Sequence, residues 1–284
     1  MTTIGVEELA DRLAMDDPLL RVCDVRWYLN RPGAGRAAYD EAHIPGAIFL
    51  DLDAELSDPA GLGAPGRHPL PRPADFGQRL GERGIGPRHF VVAYDDAGGT
   101  IAARLWWMLD NLRHPGGVAV LDGGIGAWQA AGHPLAHAEP HFPAEELVLA
   151  DEWTRVIERD VLAGRLGSLV LLDARAPERY RGEVEPIDPL AGHIPTAVSA
   201  PTSDNLDADG RLRSPGELRR RYVELGAGTG ADVAVSCGSG TNACHNALAM
   251  RLAGLPDPIL YAGSFSDWSR SAMPVATGSE PGGS

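Results

Sequence analysis

The 284-residue chain is written twice, and that duplication limits its fold more than any single motif. Leu19-Leu20-Arg21-Val22-Cys23-Asp24-Val25-Arg26 returns as Leu169-Val170-Leu171-Leu172-Asp173-Ala174-Arg175. His43-Ile44-Pro45-Gly46-Ala47 returns as His193-Ile194-Pro195-Thr196-Ala197, with Asp-to-His separations of 19 and 20 residues. Phe90-Val91-Val92-Ala93-Tyr94-Asp95 parallels Val233-Ala234-Val235-Ser236-Cys237, and Leu121-Asp122-Gly123-Gly124 with Trp128 parallels Tyr261-Ala262-Gly263-Ser264 with Trp268. The four landmarks keep their order at offsets between 140 and 150 residues. Each copy must therefore bury its own core within about half of the chain, an ordinary domain size. The expected division is an N-terminal domain over 1–135, a linker over 136–150, a C-terminal domain over 151–276 and a loose Gly/Ser/Pro-rich tail over 277–284.

Within each copy, short apolar runs alternate with helical periodicity, the mark of an α/β unit with a mainly parallel sheet flanked by helices on both faces. In the first copy the pattern predicts helices over 7–14, 73–83 and 101–112, and strands over 19–25, 90–94 and 118–121. The second reads as helices over 151–163, 215–225 and 241–253, and strands over 169–172, 233–235 and 258–261. A long Pro/Gly-rich loop, Ser57–Pro73, interrupts the first copy.

The balance of 25 basic against 39 acidic residues sets the net charge at −14. That excludes nucleic acid and anionic membrane surfaces as expected partners, and an anionic substrate would need a local positive pocket. No apolar run approaches the length of a membrane span, and Met1 is followed by polar and acidic residues rather than a secretory signal. Three cysteines form neither a disulfide framework nor a Cys-x-x-Cys pair, and the histidines between His133 and Pro143 lack metal-ligand spacing. The expectation is a cytoplasmic protein with no metal and no cofactor.

Chemistry concentrates in Cys237-Gly238-Ser239-Gly240-Thr241-Asn242. A cysteine at the end of a buried strand, two glycines and a helix start together make a site for an activated thiolate. Glycines allow the positive φ that turns successive N–H groups inward, and the helix N-terminus adds partial positive charge. An unperturbed thiol has a pKa of about 8.5, and a hundredfold gain in acidity corresponds to about 2.7 kcal/mol of differential stabilisation. Asn242 has the chemistry of an N-cap, and Cys244 reads as a packing residue.

The order of these motifs resembles the rhodanese family, specifically its two-domain 3-mercaptopyruvate and thiosulfate sulfurtransferases. The resemblance runs from about Ile4 to about Val275, through Asp24-Val25-Arg26-Trp27-Tyr28, both His-Ile-Pro motifs, Trp106-Trp107, Leu121-Asp122-Gly123-Gly124, Arg179-Tyr180-Arg181-Gly182 and the Cys237 loop. It implies two tandem rhodanese-like domains and a sulfur relay. Cys237 takes sulfur from a small-molecule donor as a persulfide, and a thiol, cyanide or a thioredoxin-like protein removes it. Gly238, Gly240, Thr241 and Asn242 would bind the reacting anion, and Asp95, at the cysteine position of the first copy, makes that copy catalytically silent. A loop beginning Cys-Gly-Ser-Gly without cations is similar to the mercaptopyruvate enzymes; a thiosulfate-preferring enzyme is the alternative. The resemblance further implies a Ser239–His68–Asp53 proton relay across a domain cleft, against a surface histidine and a helix-capping Asp53. It places the donor's anionic group on Arg179, against a surface arginine paired with Glu178 or Glu183. A second family arginine is missing, because the stretch reads Glu185-Pro186-Ile187-Asp188, and Arg181 is the substitute nearby. A phosphatase of the same fold would need an arginine at position 243, which is alanine. A non-catalytic sulfur-sensing or binding module is the other class of function.

Overall fold

Four- and five-residue, mainly aliphatic runs supply the interior strands of each sheet because both faces of each are buried. Leu20–Asp24 is buried at all five positions and Val233–Ser236 at all four, as parallel strands covered on both sides require. The computed structural model describes residues 2–58 and 66–282. Residues 59–65 of the expected Ser57–Pro73 loop, and the last two of the expected tail, lie outside the described residues.

The chain divides into two compact units. The first comprises Met1–Pro59, Leu70–Thr154 and Ala208–Arg211. Its elements are β1 (Thr3–Ile4), α1 (Val6–Ala14), β2 (Leu20–Asp24), α2 (Ala34–Glu41), β3 (Ala47–Phe49), α3 (Pro73–Glu82), β4 (Phe90–Tyr94), α4 (Ala102–Asn111), β5 (Val118–Leu121) and α5 (Gly124–Ala130). The sheet is parallel in the order β1-β5-β4-β2-β3. The second unit comprises Ala60–Pro69, Arg155–Asp207 and Leu212–Ser284. It contains α6 (Arg159–Ala163), β6 (Val170–Asp173), α7 (Pro177–Tyr180), β7 (Ala197–Ser199), α8 (Pro215–Glu224), β8 (Val233–Ser236), α9 (Ala243–Leu252), β9 (Ile259–Leu260) and α10 (Ser264–Trp268). Its sheet is parallel in the order β7-β6-β8-β9. Both units are thus α/β, as the alternation of strand and helix patterns requires. No described helix is long and apolar enough to cross a membrane.

The duplicated motifs prove to be duplicated contacts. The Asp24 carboxylate accepts from Arg26 Nη2 at 2.7 Å, and the same nitrogen donates to Ala42 C=O at 2.7 Å. In the second unit Arg175 Nη2 donates to Asp173 and to Gly192 C=O, also at 2.7 Å each. His43 stacks on Tyr39 at 3.9 Å between ring centroids and His193 on Tyr180 at 3.8 Å, each pair within 6° of parallel. Trp128 Nε1–H donates to Pro134 C=O and Trp268 Nε1–H to Pro274 C=O, both at 2.8 Å. The short motifs therefore recur because each places a polar anchor in its unit's core.

One expected helix differs. Of 151–163 only Arg159–Ala163 is helical. Ile157 N–H donates to Leu260 C=O and Leu260 N–H to Arg155 C=O, with Val156 bridging Leu260 in parallel. The unpaired edge of β9 captures this segment in extended form, overriding its helical pattern. Residues 143–150 of the first unit hold no regular element and run against α3, where Gly81 and Gly77 leave room for the carbonyls of Glu145 and Leu147. Asp24→Ala would strand a buried guanidinium and the Tyr94 hydroxyl that donates to the same carboxylate at 2.7 Å. A loss of about 3–5 kcal/mol is expected from urea unfolding.

Candidate active site

β8 ends directly at Cys237, and α9 starts six residues later with its first eight residues buried. The loop between them is tied to the segment that follows β9. Cys237 N–H donates to Ser264 Oγ at 3.0 Å, Phe265 N–H to Cys237 C=O at 3.0 Å, and Ser266 N–H to Gly238 C=O at 2.9 Å. Ser264 holds φ at +52°, a left-handed conformation uncommon outside glycine, while its hydroxyl donates to Tyr261 C=O at 2.8 Å. The first unit has Gly124 at this position with φ +56°. Reasoning from sequence missed Ser264; the available signal was a serine where the other copy reads glycine.

Gly240 is required by its surroundings. Its φ is +79°, and a Cβ there would stand 2.5 Å from Ala262 C=O. The turn brings Gly240 N–H to Cys237 Sγ at 3.1 Å. Among the described residues' hydrogen bonds this N–H is the loop amide that reaches the sulfur. Asn242 does not cap α9. It already has helical φ and ψ, because Cys244 N–H bonds back to Thr241 C=O and winds the first turn early.

His68 and Ser239 meet. His68 Nδ1 lies 2.7 Å from Ser239 Oγ and 3.4 Å from Thr241 Oγ1, and all three residues are buried. Both loop residues and His68 belong to the second unit. Asp53 belongs to the first, where its carboxylate accepts from Trp27 Nε1–H at 3.0 Å and its N–H donates to Asp51 at 2.7 Å. Residues 52–57 form turns and bends, and the next helix, α3, is preceded by Arg72, so Asp53 is not a helix cap.

Arg179, on α7, pairs with neither Glu178 nor Glu183. Its Nη2 donates to Glu185 at 2.7 and 2.9 Å and to Asp188 at 3.3 Å. Arg181 instead pairs with Glu183 at 2.7 Å on the surface. The other cysteines are packing residues. Burial pushes the Cys23 thiol far above its ordinary value, and Cys244 Sγ–H donates to Gly240 C=O at 3.3 Å.

At the matching place in the first unit, the Asp95 carboxylate accepts four backbone N–H groups, from Ala97, Gly99, Ile101 and Ala102, at 2.7–2.9 Å. The turn after the first unit's central strand is an anion cradle, filled by the protein's own carboxylate.

The rhodanese-like domain profile matches residues 5–131 and 158–271, one segment in each copy. The chain belongs to the rhodanese family. Relatives that it matches along nearly its full length include 3-mercaptopyruvate and thiosulfate sulfurtransferases. It is 47% identical over 279 residues to a probable 3-mercaptopyruvate sulfurtransferase of Pseudomonas aeruginosa, covering 97% of this chain and 98% of the relative. A putative thiosulfate sulfurtransferase, SseB, of Mycobacterium tuberculosis is 38% identical over 97% of this chain and 96% of its own. The crystal structure of SseA from Escherichia coli, a 3-mercaptopyruvate sulfotransferase, superposes with a TM-score of 0.80 at 30% identity, over 93% of this chain and 99% of that one.

Within this rhodanese site, Gly240→Ala is expected to cost about 1–3 kcal/mol through backbone strain. It should also slow alkylation of Cys237 by iodoacetamide, with buried Cys23 and Cys244 as unreactive internal controls in peptide mass analysis.

Proposed function

We propose that this chain transfers sulfur from 3-mercaptopyruvate to a thiophilic acceptor through a persulfide on Cys237. The observation that carries the reading is the 2.7 Å contact between His68 Nδ1 and Ser239 Oγ, two residues beyond the nucleophile. Cys237 thiolate attacks the donor sulfur, the S–S bond forms and the donor's C–S bond breaks. The electron pair leaves on carbon as the enolate of pyruvate. That carbanion needs a proton, and Ser239 can deliver one while His68 replaces it. Thiosulfate instead releases sulfite, a stable anion that needs no proton to leave. The persulfide keeps the sulfur and gives up the donor's thiol proton. An acceptor such as cyanide, a small thiol or a thioredoxin-like protein then attacks the outer sulfur and frees Cys237 as thiolate.

Gly240 N–H, 3.1 Å from Cys237 Sγ, supports negative charge on that sulfur before transfer. In this reading Arg179 takes the donor's carboxylate. Three cysteines, too few for a disulfide framework, suit a reducing compartment, and the cytoplasm is the location proposed.

Intact mass measurement after incubation with 3-mercaptopyruvate should show one added sulfur, absent in Cys237→Ser; no adduct on the unmodified chain would overturn the proposal. His68→Ala and Ser239→Ala should each lower kcat with 3-mercaptopyruvate about 10²-fold and affect thiosulfate turnover far less. Equal losses with both donors would remove the proton relay and return thiosulfate as the preferred donor.

A further inference from the structure

Gly238 lies between two guanidinium groups. A Cβ at this glycine would stand 2.8 Å from Arg67 Nη2 and 3.5 Å from Arg179 Nη1, so both cations crowd the backbone one residue beyond the nucleophile. The same carboxylate holds them. Asp188, whose side chain is wholly buried, accepts from Arg67 Nη1 and, at 3.3 Å, from Arg179 Nη2. Arg270 Nη1 reaches it at 3.4 Å. Glu185 occupies Arg179 through Nε and Nη2. Among the hydrogen bonds of the described residues, Arg67 Nη2 and Arg179 Nη1 carry none, and Arg67 Nε is buried without a partner.

The backbone under Arg67 is equally fixed. Arg67 N–H donates to Ser266 Oγ at 3.1 Å, and that hydroxyl donates to Gly263 C=O at 3.1 Å. The neighbouring Gly66, at φ +84°, packs where a Cβ would stand 2.6 Å from Gly263 C=O. One short segment thus presents His68 to Ser239 and Arg67 to Gly238. The local charge also has a definite size. Arg67, Arg179 and Arg270 face Asp188 and Glu185, leaving one positive charge among these five side chains beside the nucleophile.

We propose that Arg67 is a second anion-binding residue. Arg67 Nη2 and Arg179 Nη1 each donate to one carboxylate oxygen of the sulfur donor, and Asp188 sets their separation. This rests on the sulfur-transfer reading of Cys237, and it moves the second cation from Arg181 to a residue beside the proton relay.

The test compares 3-mercaptopyruvate with mercaptoacetone, which keeps the thiol and ketone but has a methyl group in place of the carboxylate. Arg67→Met should raise KM for 3-mercaptopyruvate about tenfold or more with kcat within about twofold, as loss of uniform binding to a charged group predicts. Its kcat/KM for mercaptoacetone should stay at the wild-type value. Arg67→Lys should recover part of the loss, because it keeps the charge and lacks the planar fork. Arg181→Met should match wild type with both donors. Should Arg67→Met fail to fold, as judged by circular dichroism, Arg67→Lys alone decides, with a raised KM for 3-mercaptopyruvate only as the supporting result. An unchanged KM, or an equal loss with mercaptoacetone, overturns the role of Arg67 while leaving sulfur transfer intact. Absence of a Cys237 persulfide in the wild-type protein counts against the sulfur-transfer reading instead.

Discussion

A continuous alternation of buried charge runs from the second unit's sheet to its reactive loop, and the site depends on it. Asp173, at the end of β6, grips Arg175; Arg175 reaches Glu185 at 3.5 Å; Glu185 holds Arg179; Arg179 and Arg67 share Asp188. Asp173, Arg175 and Glu185 are nearly inaccessible to solvent. Charges taken out of water are tolerable only when each has an opposite neighbour and its remaining hydrogen bonds are met. Their cost is offset only in this arrangement, so the chain converts sheet geometry into fixed positions for the two guanidinium groups beside Gly238. Long, flexible arginines on a surface would lose that precision to side-chain entropy.

The first unit begins the same way and stops early. Asp24 and Arg26 make the same fork, with the same reach to a backbone carbonyl. Next to it, however, Tyr28 hydrogen-bonds Asp96 at the surface, where the second unit continues into Glu185. At the end of the central strand the difference is chemical. The Asp95 carboxylate meets four N–H donors, and burial still holds its carboxyl above the usual carboxylate range. The sulfur at the same place in the second unit accepts instead from the Gly240 amide at 3.1 Å.

The parts of this architecture legible in the sequence are those with short-range causes. Buried strands announce themselves as aliphatic runs, and the two His-Ile-Pro motifs and paired tryptophans mark anchors that the structure repeats to within a few tenths of an ångström. The nucleophile loop is legible because glycine at φ +79° has few substitutes. What could not be read depends on residues distant in the chain. Residues 151–158 carry a helical pattern, yet the edge of β9, about a hundred residues away, draws 155–157 into extended pairing. Arg67 sits in a Pro/Gly-rich stretch with no periodicity, and only Asp188, 121 residues on, shows where its guanidinium goes. Arg181 resembles a substrate residue by proximity in sequence, whereas the two-residue step to Glu183 turns it to the surface.

Asp95 makes the divergence of the two copies directional. Four backbone amides in that turn depend on one carboxylate, so placing a thiol at position 95 would leave buried donors without an acceptor. Gly124, in turn, has no hydroxyl to hold the amide of that residue as Ser264 holds Cys237. A lineage starting from this protein would cross a less stable intermediate before a second reactive sulfur gained any support. The first copy's turn is therefore locked to its own carboxylate: the residue at the cysteine position is part of what keeps that unit folded.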